Sequence, residues 1–302
     1  MEIKLSILIL SSNTYPSVRN SKIQKKVFFN QNELLNEVYW YKKGLPKTLN
    51  GSEAKLIGND LFINADDSSL GMGYKTIKAF EWLLKNSDFE YVFRTNTSSY
   101  VSIKNLQEHI IRNLKNKEYV YSGLIHETND KSNKKIEFAS GSGFLLNRKV
   151  VELIVKEQHY WDHYYWDDVS LGLLLKKFDI LPDEGRRFDI TGNPFKQKID
   201  LTQYHFRCRI DNHYKYPRFL EYYVINYLNY LDNYIQYNAS KKYIMNLVFE
   251  FAKLLYIQEF TWKCYLLIRK LLKFLLPNFL YNYIKYKFKI GITNFKLKRF
   301  KT

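Results

Sequence analysis

The alternation of short apolar segments with amphipathic segments constrains the fold of this chain more than any other feature. Leu5–Leu10 has the composition of a buried strand, and helical spacing of apolar residues follows from Val18 to Asn36. Further strands are predicted at 54–58, 60–64, 89–93 and 119–123, and a Gly-Ser turn enters another strand over 139–146. Further helices are predicted at 73–86, 103–114, 147–156 and 167–175. This order predicts an α/β fold, a three-layer sandwich around one sheet.

The pattern changes near Tyr214, where long helical stretches rich in Tyr and Leu begin. We therefore predict two regions, a domain over 1–213 and a mostly helical extension over 214–302. The formal net charge of +17 is uneven. Residues 241–302 contain 14 of the 47 Lys and Arg residues but only two acidic ones. The basic excess therefore belongs to the extension.

Composition excludes several classes of protein. A chain with 46% hydrophobic and 25% charged residues is not wholly disordered. Cys208 and Cys264 are too few for a disulfide framework or a four-thiolate zinc site, and we expect them to be reduced in the cytosol. We expect no secretory signal, because the first ten residues have the pattern of a strand. No run of about 18 uncharged apolar residues predicts a membrane-spanning helix.

The basic extension leaves several partners open. Leucine and phenylalanine alternate with Lys253, Lys263, Arg269, Lys270 and Lys273, a composition that suits the surface of an anionic bilayer. That partner implies a cytoplasmic protein held peripherally at the inner membrane surface. A helical subdomain packed on the first domain, or an oligomer contact, fits the same residues. Nucleic acid matches the charge, but no nucleic-acid-binding motif is present.

Five segments occur in a specific order along the first 210 residues. They are Ser6–Phe29, the segment from Asp67 to Trp82, Tyr91–Val101, Ala139–Leu146 and Trp166–Gly172. In this order and spacing they resemble the β-1,3-glycosyltransferases of the Fringe and galactosyltransferase type, glycosyltransferase family 31. The resemblance implies a GT-A-type, Rossmann-like nucleotide-sugar fold. It also implies inverting transfer of a hexose from a nucleotide-sugar, with UDP as the expected nucleotide, to a glycan or lipid-linked saccharide.

The resemblance places the catalytic base at Asp168, within Trp166-Asp167-Asp168-Val169. A base must take the proton of the acceptor hydroxyl as its oxygen attacks the anomeric carbon. The alternative is that Asp168 caps the following helix. Trp166 and Asp167 are the acceptor-binding candidates, although such an aromatic side chain also occurs in cores and at rims.

The resemblance also supplies candidates for the donor site. Arg19 could equally form a surface salt bridge, Asp67 could close a turn, and Lys75 could lie on a solvated helix face. A hairpin turn would explain Gly141 and Gly143 as well as close approach to a sugar does. The nucleotide-sugar-binding candidates are Ser11, Arg19, Asp67, Lys75, Arg94, Asn96, Ser98, Gly141, Ser142 and Gly143. His205 and Arg207 are the phosphate-binding candidates, and a structural role is the alternative for His205.

The chain departs from the family at the segment that carries an acidic, metal-binding triplet. It has Arg94-Thr95-Asn96-Thr97-Ser98, in which all three acidic positions are neutral. Hard divalent cations prefer carboxylate oxygens, so we predict no tightly bound Mn²⁺ or Mg²⁺. Asn96, Ser98 and His205 are the remaining donors for a weak site. Cationic side chains would then stabilise the leaving diphosphate, and the candidates are Arg19, Lys75, Arg94, His205 and Arg207.

The sequence is compatible with three classes of function. The first is an active glycosyltransferase that builds a surface polysaccharide or lipid-linked saccharide. The second is an inactive relative that binds a sugar or a partner, because the acidic triplet is lost. The third is a basic nucleic-acid-binding protein that shares only the α/β core. The presence of Asp168 favours the first over the second.

Overall fold

The computed structural model describes residues 3–29, 31, 37–129, 133–191, 194, 197–209 and 218–237, with individual helical positions between 249 and 270. The chain divides into two compact units, Met1–Met245 and Asn246–Thr302. The predicted boundary after residue 213, the predicted end of the first helix at Asn36 and the basic residues of the extension beyond 270 lie outside the described residues.

The first unit contains eleven strands and seven α-helices among its described residues. The strands are β1 Leu5–Leu10, β2 Glu37–Lys43, β3 Ala54–Ile57, β4 Asp60–Ile63, β5 Tyr91–Asn96, β6 Ser99–Val101, β7 Tyr121–Asn129, β8 Lys135–Asn147, β9 Asp183–Glu184, β10 Arg187–Asp189 and β11 His205–Arg207. The helices are α1 Ser17–Phe29, α2 Pro46–Leu49, α3 Ser69–Asn86, α4 Ile103–His109, α5 Arg148–Lys156, α6 Asp167–Lys176 and α7 Glu221–Tyr237. A π-helical turn, Ile110–Leu114, continues α4.

Eight strands form one sheet in the order β3-β4-β2-β1-β5-β8-β7-β9. Strands β4, β2, β1 and β5 are parallel, whereas β8 is antiparallel to both β5 and β7. A smaller sheet has the order β10-β11-β6.

Strand β1 explains the three layers. Its side chains alternate between the two faces of the sheet, because successive residues of a strand point to opposite sides. Leu8 packs in a cluster with Phe80 of α3 and Leu171 of α6. Ile7 packs in the opposite cluster, with Leu106 of α4. The α/β class and the three-layer arrangement predicted from the sequence are therefore confirmed.

Helix α7 belongs to the first compact unit. The Asn20 Nδ2 of α1 donates to Glu221 Oε2 of α7 at 2.7 Å, and the Tyr100 hydroxyl of β6 donates to Asp232 Oδ2 at 2.6 Å. These contacts tie α7 to the first helix and to the small sheet. Within the part of the chain that the structure describes, no helix has the length and apolar character needed to cross a bilayer.

Candidate active site at the carboxyl edge of the sheet

Strands β1 and β5 are parallel neighbours at the centre of the large sheet, and β2 follows β1 on its other side. This is a topological switch point, where ligands bind in open α/β sheets beyond the carboxyl ends of the strands. Ser11 follows β1 and Asn96 ends β5. The Ser17 hydroxyl lies 3.2 Å from Ser11 Oγ and 3.1 Å from Thr97 Oγ1. Hydroxyl groups therefore link the two strand ends.

The glycine-serine segment reaches the same edge as part of a strand. Strand β8 runs antiparallel to β5 with Gly143 opposite Thr95, and Thr95 Oγ1 donates to the Ser142 carbonyl at 2.7 Å. The sequence predicted a Gly-Ser turn that enters a strand over 139–146; the strand is confirmed and the turn is wrong, because the whole segment lies within β8. Gly143 pairs with Thr95 of β5, and Ala139 pairs with Ile125 of β7. A Cβ atom at Gly143 would lie 2.5 Å from Cε1 of His205, so this glycine is required by close packing.

Asp168 lies beside Gly141 in the first turn of α6. The Gly141 amide donates to Asp168 Oδ2 at 2.6 Å, and the Val169 amide donates to Oδ1 at 3.0 Å. Burial and the neighbouring Asp167 raise the pKa of the Asp168 carboxyl above its ordinary value. A raised pKa makes the carboxylate a stronger base. The N-cap residue of α6 is Trp166, whose side chain makes no capping hydrogen bond, so Asp168 does not occupy the cap.

Asp167 has a different environment from Asp168. Its Oδ2 accepts from Arg94 Nη2 and, at 3.3 Å, from the Thr76 hydroxyl. Arg94 also donates from Nε to the Tyr41 hydroxyl at 2.8 Å and from Nη1 to the Gly141 carbonyl. The Arg94 side chain is only 1% exposed. Arg94 and Asp167 therefore form a buried ion pair that joins β5, β8 and α6, and the pair orients the segment that holds Asp168.

Lys75 and Asp67 also pair with each other. Lys75 Nζ lies 2.5 Å from Asp67 Oδ1, and the two side chains are 2% and 33% exposed. Asp67 precedes α3, next to the carboxyl end of β4, while Lys75 is buried within the helix. Of the two, Asp67 retains an accessible face for a ligand.

The residues at the triplet position do not fit a divalent cation. Asn96 Oδ1 accepts from the Ser98 amide at 2.9 Å. Ser98 Oγ donates to Glu221 Oε2 at 2.8 Å and accepts from Arg218 Nη2 at 2.8 Å. The positively charged Arg218 guanidinium therefore lies against Ser98 Oγ, the oxygen that a divalent cation would need as a ligand. Among the described residues, no group of three His, Cys, Asp or Glu side chains could hold a metal ion.

His205 is buried behind the glycine-serine segment. Its Nε2 lies 3.1 Å from Ser99 Oγ, and its ring packs edge-on against Phe93. Burial, together with the positive charges of Arg187 and Arg207, holds the pKa of His205 well below its usual range. His205 is therefore neutral near pH 7 and supplies no positive charge to a phosphate. Arg207 is half-buried in β11, in register with Ser99 of β6.

Two of the predicted site residues, Arg19 and Trp166, are not among the hydrogen-bonded residues described around Asp168 and Arg94. The Arg19 guanidinium lies over the rings of Tyr222 and Tyr223 on α7, 4.8 and 5.3 Å from their centroids. Trp166 is 62% exposed at the start of α6. Its indole is accessible for stacking on a ligand ring, next to Asp167 and Asp168.

The structure adds residues that the sequence analysis missed. Arg187 donates from Nη1 to Ser140 Oγ at 2.9 Å and to Ser142 Oγ at 2.6 Å, and no motif surrounds it in the sequence. Arg218 and Glu221 both form hydrogen bonds with Ser98 Oγ. Their opposite charges three residues apart at the start of a helical segment were a usable signal. Tyr41 escaped notice because its strand, β2, was not predicted.

Comparison with known proteins identifies a family segment. Residues 46–185 match the family model described as Galactosyltransferase. Four of the five motif segments fall within that match, and the resemblance drawn from them is confirmed. The chain is 22% identical over 125 residues to UDP-GalNAc:beta-1,3-N-acetylgalactosaminyltransferase 2 of Xenopus tropicalis. The aligned region covers 37% of this chain and 26% of that protein. The chain thus matches about a quarter of the length of that curated relative.

Solved structures that match the chain at TM-scores below 0.5 include two glycosyltransferases. One is a glycosyltransferase involved in the glycosylation of the major capsid of PBCV-1, at 9% identity and a TM-score of 0.43, covering 74% of this chain and 98% of that one. The other is the galactosyltransferase LgtC, at 12% identity and a TM-score of 0.40, covering 76% and 95%.

Proposed function

We propose that this chain, whose residues 46–185 carry the Galactosyltransferase family segment, is an inverting glycosyltransferase. It would move a hexose from a nucleotide-sugar to a hydroxyl group of a glycan or lipid-linked saccharide. The observation that carries the proposal is the Asp168 carboxylate, held by the Gly141 amide at the carboxyl edge of the sheet. A half-buried carboxylate of raised pKa at that edge suits a general base.

The proposed reaction uses one proton transfer and one displacement. Asp168 takes the proton of the acceptor hydroxyl as the hydroxyl oxygen forms a bond to the anomeric carbon. The bond from that carbon to the diphosphate breaks on the opposite face, and its electron pair leaves with the diphosphate. Attack opposite the leaving group inverts the anomeric configuration. Trp166 and the exposed rim beside α6 would receive the acceptor.

The donor and linkage belong to the proposal as well. The matched relative is named for UDP-GalNAc and a β-1,3 linkage. We infer a UDP-linked hexose or N-acetylhexosamine as the donor and a β-1,3 bond as the product. Asp67, with its exposed carboxylate face, and the β8 backbone at Gly141–Gly143 are the proposed contacts for the nucleotide-sugar. No step is assigned to a metal ion, because Asn96 and Ser98 are committed to other partners.

We also propose that the second unit docks on an anionic bilayer at the cytoplasmic face of the inner membrane. The described positions between 249 and 270 are helical, and all of them except the half-buried Cys264 are exposed. They mix large apolar side chains with lysines. The exposed set is Phe249, Lys253, Tyr256, Ile257, Phe260, Lys263, Leu266, Leu267 and Lys270. Aromatic and basic side chains at exposed helical positions suit the membrane interface. Lipid-linked acceptors for polysaccharide biosynthesis would be available there.

The second candidate function is a catalytically inactive protein that binds a sugar nucleotide. The neutral residues at 96 and 98 favour it, because they remove the acidic side chains of the family segment.

A thermal-shift screen of nucleotides and nucleotide-sugars, with and without Mn²⁺, followed by an assay of nucleoside diphosphate release, tests both candidates. The proposed transferase binds at least one UDP-sugar and releases UDP in the presence of EDTA. Binding without release of UDP would favour the inactive protein. The absence of any nucleotide binding would contradict both.

A further inference from the structure

Arg218 lies beside the turn between β5 and β6. Its Nη2 donates to Ser98 Oγ at 2.8 Å, and its Nε donates to Glu221 Oε1 at 2.7 Å. Ser98 follows the carboxyl end of β5, two residues beyond Asn96. The guanidinium therefore lies at the edge where β1 and β5 form the switch point.

Glu221 fixes the orientation of this guanidinium. The Glu221 side chain is fully buried, and its Oε2 also accepts from Asn20 Nδ2 at 2.7 Å and from Ser98 Oγ at 2.8 Å. Glu221 is the first residue of α7, where the helix dipole favours a carboxylate. A guanidinium that a fixed carboxylate already orders loses little further conformational freedom when it binds a ligand.

Exposure distinguishes Arg218 from three buried cations of this edge. The side chains of Arg94, Lys75 and Arg187 are 1%, 2% and 4% exposed, and each lies against a carboxylate. The Arg218 side chain is 36% exposed. Of these four cations, Arg218 therefore has the accessible surface that an anionic ligand needs.

The loop after β1 contributes to the same place. Tyr15 lies in that loop, and the charges of Arg19, Arg218 and Glu221 all act on its hydroxyl. Burial raises the pKa of Tyr15 to about 12, so the hydroxyl is protonated near pH 7 and remains a hydrogen-bond donor. Two arginines and one carboxylate leave a net positive charge around the Tyr15 hydroxyl.

We propose that Arg218 binds the diphosphate of the donor and stabilises the negative charge that develops as the leaving group departs, a role that rests on the proposed function. The bond between the anomeric carbon and the diphosphate oxygen breaks, and its electron pair stays on that oxygen. The guanidinium keeps its protons and donates hydrogen bonds to the phosphate oxygens. The Nε and Nη2 groups of Arg218 are engaged by Glu221 and Ser98, so Nη1 is the donor offered to the phosphate oxygens. Charge-assisted hydrogen bonds of this kind are stronger than neutral ones. A protein cation thus acts where Asn96 and Ser98 provide no carboxylate.

Binding of UDP and of uridine to the full-length chain, measured by calorimetry, tests the proposal. Arg218→Met is expected to weaken UDP binding by about 10-fold or more, because a charge-assisted hydrogen bond contributes about 1.5–3 kcal/mol. Uridine lacks phosphate, so its affinity is expected to stay unchanged. Arg218→Lys should restore part of the UDP affinity, since it keeps the charge but not the planar fork.

Two further variants separate binding from folding. Arg218→Met leaves the buried Glu221 carboxylate without its cation, so Arg218→Met/Glu221→Gln removes both charges and should show the same selective loss of UDP affinity. Arg112→Met is the matched control, because the Arg112 side chain is 74% exposed in a surface pair with Glu108. It should bind UDP as the unmodified chain does.

The outcomes distinguish this proposal from the proposed function. If the unmodified chain and both Arg218→Met variants bind UDP equally well, Arg218 does not bind the diphosphate, while the proposed function stands. An equal loss of UDP and uridine affinity would also overturn the proposal, because it would reveal a structural role only. Failure of the unmodified chain to bind UDP would overturn both.

Discussion

Asp167 and Asp168 are adjacent carboxylates with opposite assignments. Asp167 is buried against the Arg94 guanidinium, which fixes its charge and position. Among the described residues, Asp168 accepts hydrogen bonds from the backbone amides of Gly141 and Val169, and burial and the neighbouring Asp167 raise its pKa. A partly buried carboxyl group whose surroundings raise its pKa is typical of sites where a side chain takes a proton.

The raised pKa of Asp168 predicts how stability depends on pH. A folded-state pKa above the ordinary value of 3.8 contributes stability below that value, and the contribution is lost as pH rises through the folded-state pKa. Asp168→Asn should therefore gain stability relative to the unmodified chain as pH rises from about 4 to 7.5. Urea unfolding across this range measures the difference.

Asp88→Asn is the control with the opposite sign. A hydrogen bond from Lys4 lowers the pKa of Asp88, so its contribution is present above the ordinary pKa and is lost in acid. If the stability of Asp168→Asn relative to the unmodified chain changed with rising pH in the same direction as that of Asp88→Asn, the environment assigned to Asp168 would be wrong.

The Arg94–Asp167 pair predicts a large loss of stability when one partner is removed. Arg94→Met leaves the Asp167 carboxylate buried without its cation and should cost about 3–5 kcal/mol in urea unfolding. Arg94→Met/Asp167→Asn should recover part of this loss, because no uncompensated charge remains. A loss no larger than that of the surface variant Arg112→Met would contradict the buried pair.

Strand β8 illustrates what the sequence could and could not predict at the scale of elements. Its apolar half, Phe144–Leu146, was predicted as a strand from composition, and the structure confirms it. Gly141 and Gly143 indicated a turn, since glycine favours turns when its neighbours in space are unknown. In the structure both lie within β8, and they are glycines because Asp168 and His205 approach the backbone closely there. Tertiary packing of this kind leaves no local signal.

The two glycines predict different consequences of adding a methyl group. At Gly143 a Cβ would meet the buried rings of His205 and Phe93 at 2.5 and 2.8 Å, so Gly143→Ala should destabilise the fold by about 1–3 kcal/mol. At Gly141 a Cβ would lie 2.8 Å from Asp168 Oδ2, which can move toward solvent. Gly141→Ala should therefore lose about 100-fold in turnover with a smaller change in stability.

Urea unfolding and initial-rate assays on both alanine variants measure these two effects. Equal losses of turnover in Gly141→Ala and Gly143→Ala, in proportion to their losses of stability, would contradict a specific role for the Gly141–Asp168 contact.

At the scale of the whole molecule, the predicted α/β class and layers were confirmed because strand–helix alternation is a repeated, local signal. Strand β2 was missed, because helical spacing was extended to Asn36 and the strand begins at the next residue. The small β10-β11-β6 sheet was missed because its strands have only three residues each. The contributions of Arg187, Arg218 and Glu221 depend on contacts between distant segments, which one sequence does not reveal.

The second unit predicts binding to anionic vesicles. Each lysine near an anionic surface contributes about 1 kcal/mol. Replacing Lys253, Lys263 and Lys270 with glutamate in the full-length chain should therefore weaken binding at least about 10-fold. Flotation with phosphatidylserine vesicles measures this. The matched control replaces the exposed Lys47, Lys55 and Lys104 of the first unit. Equal binding by both triple variants would contradict docking through the second unit.

The most direct test of Asp168 as the general base compares the unmodified chain with Asp168→Asn. The quantity measured is the rate of UDP release from the UDP-sugar that binds best. We predict that Asp168→Asn retains donor affinity and loses about 100- to 10,000-fold in rate, the contribution typical of a general base. If Asp168→Asn bound the donor equally well and turned over at the rate of the unmodified chain, Asp168 would not be the general base.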